Sequence, residues 1–454
     1  MLGILSESAS TTHSRLRVFL STIGSAGDVN PFVAIGSELK RRGHQVTLVT
    51  SAYFESLARG AGLDFVGLGN PGDYRATVDD PDLWDPKGGF RVFARRVVIP
   101  AMRPLYDILS ENLSSNSILV AQGQTFGAHL AHEKHGVPFV TVHLQPAAFR
   151  TIHDAPLMPG WIPPLLRPAV YALFDYLVLD RELAGDVNEF RSHLGLPKVR
   201  SIFGSWAHSP QKSIGLFPDW FAPPQPDWPT QAELAGFVFL DEAPRPVDPA
   251  LFAFLAEGEA PIVFTPGTAM RNADLFFKAS IQASLELGRR ALLLTQYPEQ
   301  VPSPLPDGVA AFAYVPFAAV LPHSAALVHH GGIGTVAQAL AAGIPQLVRP
   351  MTFDQPDNAA RVQRLGVGLS IRPDHYRPHT AVKMLHALLH SQDVLTKCRY
   401  YSTLIHPDTG LAAACNAIEA VGGLPRLPDG SQEASREPGS RVQGPSWLDL
   451  GRPR

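Results

Sequence analysis

Two cysteines, Cys398 and Cys415, in 454 residues are too few for a disulfide framework and read as inert thiols of a reducing compartment. Charge is also scarce: only 17% of residues are charged, and 38 Lys+Arg against 41 Asp+Glu leaves a net charge of -3. Nothing global therefore attracts nucleic acid or an anionic membrane. The first fifteen residues lack the basic start and apolar run of an export signal, so a cytoplasmic location is expected. The most apolar stretch, Trp161 to Asp180, is interrupted by Arg167, Asp175 and three prolines, whereas a membrane span needs about 18 mostly uncharged residues. It is expected at most to rest on a membrane surface. Several chemical signatures are missing as well. There is no GxSxG elbow, no P-loop and no GxGxxG. HEKH (His132 to His135) is one residue short of HExxH, and Asp80 and Asp82 form DxD only within a turn-like run, so no metal site is expected.

What is present is a globular chain, 45% hydrophobic and long enough for two or three domains. RVFLSTI (Arg17 to Ile23), QVTLVT (Gln45 to Thr50), LDFVGL (Leu63 to Leu68), SILVAQ (Ser117 to Gln122) and FVTVHL (Phe139 to Leu144) are β-rich runs separated by helical periodicity. Strands alternating with helices imply a parallel, doubly wound sheet. Between Ser209 and Pro249 nine prolines fall in 41 residues, which suits an extended connector. A second alternation follows through PIVFTP (Pro261 to Pro266), ALLLTQ (Ala291 to Gln296), AFAYV (Ala311 to Val315), AALVHH (Ala325 to His330) and QLVRP (Gln346 to Pro350). The expected organisation is α/β: one Rossmann-like domain over 17–225, a second over 226–422, and a flexible tail over 423–454.

The richest stretch runs from Val328 to Val362. Gly331, Gly332 and Gly334 follow a strand and open a helix, whose free N–H groups and positive dipole end suit a phosphate. His329 can donate a hydrogen bond to a diphosphate there, although a histidine considered singly is more often a satisfied core residue. Asp354 and Gln355 follow the next strand, where a carboxylate and an amide can engage vicinal sugar hydroxyls; helix capping explains the aspartate equally well. In GSAGDVNP (Gly24 to Pro31), Gly24, Ser25 and Gly27 make a similar strand-to-helix turn. Asp28 is either an ordinary cap or, facing the phosphate site across a cleft, a general base. The same GxxGD spacing recurs at Gly69 to Asp73, so only position distinguishes the two copies.

The Val328 to Val362 block and GSAGDVNP resemble the GT-B glycosyltransferases of family 1. DDPDLWDPK (Asp79 to Lys87), AHEKHGVPF (Ala131 to Phe139) and LFPDWFAPPQPDWP (Leu216 to Pro229) are similar to the rhamnosyltransferases of rhamnolipid biosynthesis. The resemblance implies two Rossmann-like domains facing a cleft, and an inverting, metal-independent transfer without a cofactor. The co-substrate would be dTDP-L-rhamnose, the acceptor a 3-hydroxyalkanoyloxyalkanoate lipid and the product a mono-rhamnolipid. A related enzyme acting on a sterol, polyketide or other lipid with another dTDP- or UDP-sugar is the alternative. A silent activator that only binds nucleotide sugar, and a sugar-nucleotide epimerase, are rivals of other classes. By resemblance Asp28 is the base, His329 meets the diphosphate, Gly331, Gly332, Gly334 and Thr335 form the phosphate loop, and Asp354 with Gln355 holds the sugar hydroxyls. Tyr314 and Val315 stand where relatives bind the pyrimidine, and Thr265 to Thr268 match another donor-side loop. Ala337 replaces the glutamate that binds ribose hydroxyls in plant members, which fits a deoxyribose. The strand end that carries a supporting aspartate in those members reads AQGQ (Ala121 to Gln124) here, leaving Asp28 expected to act unaided. The arginines at 91, 95 and 96 are expected to meet a fatty carboxylate or a membrane. Association with the enzyme supplying the lipid, and peripheral contact with the inner face of the cell membrane, are further expectations.

Overall fold

The computed structural model describes residues 15–240, 248–313 and 315–423. Seven parallel strands form the first sheet: β1 (Arg17–Ser21), β2 (Gln45–Ser51), β3 (Asp64–Leu68), β4 (Ser117–Gln122), β5 (Phe139–His143), β6 (Lys212–Gly215) and β7 (Ala232–Leu234). Their spatial order is β3-β2-β1-β4-β5-β6-β7. The chain starts in the middle, winds outward to β3, then crosses to β4 and winds the other way. The second sheet repeats the plan with β8 (Ile262–Thr265), β9 (Ala291–Leu294), β10 (Val309–Phe312), β11 (Ala326–His329), β12 (Gln346–Val348) and β13 (Gly368–Ser370), ordered β10-β9-β8-β11-β12-β13. The inner strands β4, β5, β8, β9 and β11 are short, largely apolar runs buried along their whole length, as a parallel sheet covered by helices requires, while the edge strands β3, β7 and β10 are only partly buried. Reversals of winding, β1/β4 and β8/β11, open crevices beyond the carboxyl ends of the strands. Both lie in the same cleft.

The proline-rich stretch contributes more than a connector. β6 and β7 extend the first sheet beyond residue 225, with Val140 opposite Lys212 and Ser213 opposite Ala232. Prolines 210, 218 and 229 flank these strands instead of interrupting them, so no ladder N–H is lost. The last helix, Pro407–Val421, also returns to the first domain. Its Ala414, Cys415, Ala417 and Ile418 pack with Val29, Phe32 and Ile35 of the Ala26–Arg41 helix. Glu419 clamps the return, 2.7 Å from Arg42 and 2.9 Å from His44. Both thiols are buried, and burial pushes Cys398 up to about 12. The expected strand Ala311 to Val315 starts two residues earlier and ends at Phe312. Beyond residue 423 the expected tail lies outside the described residues.

No helix among the described residues is long and apolar enough to cross a membrane. Between residues 161 and 178, however, the usual amphipathic arrangement is inverted. Arg167, Tyr171 and Asp175, spaced four apart, face inward and are held by polar contacts: Arg167 donates to the Ile152 carbonyl, the Tyr171 hydroxyl donates to that of Thr151 at 3.1 Å, and Asp175 pairs with Arg150. Outward point Trp161 (82% exposed), Leu165 (87%), Leu173, Phe174 and Tyr176.

Candidate functional site

Between the two domains lies a cleft of about 870 Å³, walled by the carboxyl ends of both sheets. On the first-domain side Gly24, Ser25, Gly27 and Asp28 follow β1 and line it. Asp28 occupies the third position of the Ala26–Arg41 helix in a capping box. Its Oδ2 accepts hydrogen bonds from the Ser25 amide at 2.8 Å and the Ser25 hydroxyl at 3.1 Å. Gly24, at φ 134°, is required by that carboxylate, because a Cβ there would lie 2.3 Å from Oδ2. The second GxxGD copy makes the same box, with the Asn70 amide donating to Asp73 Oδ2 at 2.7 Å. Capping alone therefore does not distinguish them.

The difference is Gln122. Its Oε1 accepts from the Thr22 hydroxyl at 2.7 Å and the Ile23 amide at 3.2 Å, and its Nε2 donates to Asp28 Oδ1 at 2.8 Å. Asp28 is thus supported, contrary to the expectation that it acts unaided. The supporting group is the first glutamine of AQGQ, which β1–β4 pairing brings level with Thr22. Burial raises the pKa of Asp28 despite the opposing bonds from Gln122 and Ser25.

Across the cleft stand Thr265 and Thr268, Val315, Gly332, Gly334, Thr335, Asp354 and Gln355. Tyr314 lies outside the described residues. His329 is misplaced for the role expected of it. It is fully buried in β11, where Nε2 donates to Gln346 Oε1 at 3.0 Å and Nδ1 accepts from the Gly331 amide at 3.1 Å. Successive residues of an extended strand face opposite ways, and the next residue, His330, lines the cleft instead. Its ring fits between two glycines: a Cβ on Gly267 would come within 2.9 Å and one on Gly332 within 2.5 Å. Its Nδ1 has no hydrogen-bond partner among the described residues, and burial lowers its pKa to about 4. Gly331, at φ 95°, packs against Val348 and Gln355 and shapes the loop from behind.

Asp354 does not cap the helix it precedes; its carboxylate accepts from Asn358 Nδ2 at 2.6 Å. Gln355 Oε1 accepts from the Met351 amide at 2.8 Å, which fixes the turn before it. Sequence reasoning missed Phe353. This residue adopts φ 59°, a conformation rare for a bulky L-residue and costing roughly 1–3 kcal/mol. Its ring, 40% exposed, reaches Trp84 and Phe93 of the first domain at centroid distances of 6.1 and 5.8 Å. Among the described residues no three His, Cys, Asp or Glu side chains gather as a metal site.

Burial, then the charge of Asp28, raises Asp354 to about 7 from an ordinary 3.8, with the Asn358 bond opposing. Because the folded state holds this proton more tightly, its contribution to stability falls as pH rises from about 4 through 7. A carboxyl ¹³C titration of Asp354 is expected to show a midpoint near pH 7 that moves down in Asp28→Asn. A midpoint below 5 in the parent protein would contradict this electrostatic coupling.

Comparison with known proteins matches residues 18–153 to the glycosyltransferase family 28 N-terminal domain and residues 293–396 to the erythromycin biosynthesis protein CIII-like C-terminal domain. The O-mycaminosyltylonolide 6-deoxyallosyltransferase of Streptomyces fradiae is 31% identical over 77% of this chain and 84% of its own length. A sterol 3-beta-glucosyltransferase of Pichia angusta is 27% identical over 88% of this chain, which spans only 33% of that protein. Among solved structures, the glycosyltransferase of kitacinnamycin superposes with a TM-score of 0.68 at 18% identity, covering 90% of this chain and 99% of its own. A spinosyn rhamnosyltransferase gives 0.62 at 19%, covering 88% and 98%. These likenesses confirm the two-domain fold. Taken with the 31% identity that spans both domains, they lead to one conclusion: the chain belongs to the GT-B glycosyltransferases of family 1.

Proposed function

We propose that this glycosyltransferase moves L-rhamnose from dTDP-L-rhamnose to the free hydroxyl of a 3-hydroxyalkanoyloxyalkanoate lipid, giving a mono-rhamnolipid with inversion at the anomeric carbon. The observation that carries the transfer chemistry is a partly buried carboxylate, Asp28, held by Gln122 and facing the donor-side residues across one cleft. Asp28 takes the acceptor hydroxyl proton as that oxygen bonds to C1. The bond from C1 to the diphosphate breaks, and dTDP leaves with the electron pair. His330, in place of His329, and the N–H groups opening the Ile333–Ala342 helix offset the charge that develops. Asp354 and Gln355 engage the sugar hydroxyls, and Thr265, Thr268 and Val315 lie beside the nucleotide. Ala337 has no hydrogen-bonding side chain, which supports a deoxyribose.

A lipid is favoured by the acceptor side of the cleft, where Val78, Leu83, Phe90, Phe93, Val97 and Leu179 line the wall. Each buried methylene is worth about 0.8 kcal/mol. Two more acceptor carbons are therefore expected to lower KM roughly tenfold until the wall is filled. Intact-mass analysis of products from dTDP-rhamnose and UDP-glucose, each offered with a series of hydroxylated lipids, sterols and macrolides, tests the reading. Rhamnosylated lipid with a chain-length-dependent KM supports it. Transfer only to a sterol or macrolide, as the names of the relatives suggest for those proteins, would move this enzyme to the related reaction.

The inverted segment at 161–178 supports a peripheral seat on the membrane from which such an acceptor comes. Its outer face is uncharged, and the exposed Arg181, Lys198 and Arg200 nearby have no carboxylate partner among the described residues. Apolar surface flanked by unpaired cations suits anionic headgroups. Co-sedimentation with phosphatidylglycerol vesicles is expected for the parent protein and not for the Leu165→Glu/Leu173→Glu double variant. Parent protein that stays in the supernatant would end this part of the reading.

A further inference from the structure

The arginines expected to meet an acceptor carboxylate are engaged elsewhere or lie outside the wall. Arg95 bridges Glu182 and Asp186, Arg96 pairs with Asp80, and Arg91 does not line the cleft. A different polar group stands within the acceptor wall. His143 ends β5 and His208 precedes β6; their rings lie 4.7 Å apart, and both pack on Phe149. They are 5% and 9% exposed, and both line the cleft. Neither imidazole makes a hydrogen bond among the described residues, and His143 Nε2 and His208 Nδ1 are buried without a partner. Burial holds both rings neutral, His143 well below its ordinary value and His208 at about 4. A neutral imidazole carries one N–H donor and one acceptor, and leaving such groups buried and unsatisfied is costly.

Arg150 completes the group. Its Nη1 is fixed on Asp175, which also accepts from the Ser201 hydroxyl at 2.9 Å. Its Nε and Nη2 make no hydrogen bond among the described residues, yet the side chain lines the cleft. Its charge lowers the pKa of His208, so the two groups are electrostatic neighbours. A guanidinium anchored at one end, beside two unsatisfied imidazoles, matches an oxygen-rich anion.

We propose that Arg150, His143 and His208 form a subsite for the carboxylate of the acceptor, so that the enzyme selects a hydroxylated acid over its neutral esters. The proposal rests on the reading that the acceptor hydroxyl sits at Asp28. Gln122, which holds Asp28, ends β4, and His143 ends the adjacent β5. Neighbouring strands are about 4.8 Å apart, so at least one strand spacing separates the two strand ends that face the cleft. An acid with its hydroxyl several bonds from its carboxylate fits that interval; a simple 2-hydroxy acid is too short.

The test is calorimetric binding of 3-(3-hydroxydecanoyloxy)decanoate and of its methyl ester to the dTDP-saturated protein, with sugar transfer to each measured in parallel. The acid is expected to bind at least tenfold more tightly than the ester. His208→Phe keeps the ring on Phe149 while removing both nitrogens, and Arg150→Met removes the charge. Both variants are expected to lose the preference for acid and to hold the ester as the parent does, a split that loss of folding does not produce. Equal binding of acid and ester by the parent overturns the subsite, whatever the transfer assay gives. An acid preference without sugar transfer keeps the subsite and overturns the lipid reaction instead. Failure to bind either form overturns both.

Discussion

The chemistry of the cleft depends on the orientation of one amide. The Ile23 backbone N–H can only donate, so Gln122 must present its oxygen to it, and the Thr22 hydroxyl reinforces that choice. The Gln122 NH₂ group is then obliged to face Asp28. The carboxylate is consequently fixed through both oxygens, one by Ser25 and one by Gln122, without any cation beside it to hold its pKa down. Burial prevails over those neutral hydrogen bonds and raises the pKa, the direction that makes a carboxylate a better proton acceptor. An arginine or lysine in place of Gln122 would lower the pKa of Asp28 and, having no acceptor, would leave the Ile23 N–H without its partner.

That arrangement is useful only if the second domain is held opposite it, and several contacts do so. Asp154 of the first domain bridges Arg361 and Arg364 at 2.9 and 2.6 Å, and Arg271 reaches back to Asp79 at 2.6 Å. Arg361 is nearly fully buried and also pairs with Asp357, so this bridge is shielded from solvent in a way that exposed pairs are not. The last helix adds a clamp through Glu419. Phe353 bears on the same geometry. Its strained backbone directs an aromatic ring toward Trp84 and Phe93 just before Asp354, so the donor-side turn and the acceptor wall are in direct contact.

The fold was legible because alternating apolar strands and helical periods survive in a single sequence. β6 and β7 were not, since prolines counted over 41 residues conceal that the residues actually paired, Lys212–Gly215 and Ala232–Leu234, contain none. The glycine-rich turn does lie on the cleft, with Gly332, Gly334 and Thr335 lining it, but His329 was chosen over His330. Two adjacent histidines at a strand end differ only in the face they occupy, and composition does not reveal which face meets the cleft; the glycines at 267 and 332 were the available signal. Gln122 was read as the loss of a supporting aspartate because its partner, Ile23, is 99 residues away. The unsatisfied pair of His143 and His208 likewise arises from tertiary packing that no local motif encodes.

The account's central claim, that Asp28 is the base of glycosyl transfer, is tested most directly by single-turnover transfer in Asp28→Asn with nucleotide affinity measured on the same preparation. The asparagine oxygen can still accept from Ser25, while its NH₂ would meet the NH₂ of Gln122, at a structural cost of about 1 kcal/mol. General-base help is worth roughly 10² to 10⁴ in rate. The account predicts a transfer rate lowered by at least about a hundredfold, with dTDP affinity within about twofold of the parent. A rate within about threefold of the parent, with dTDP bound normally, would contradict it.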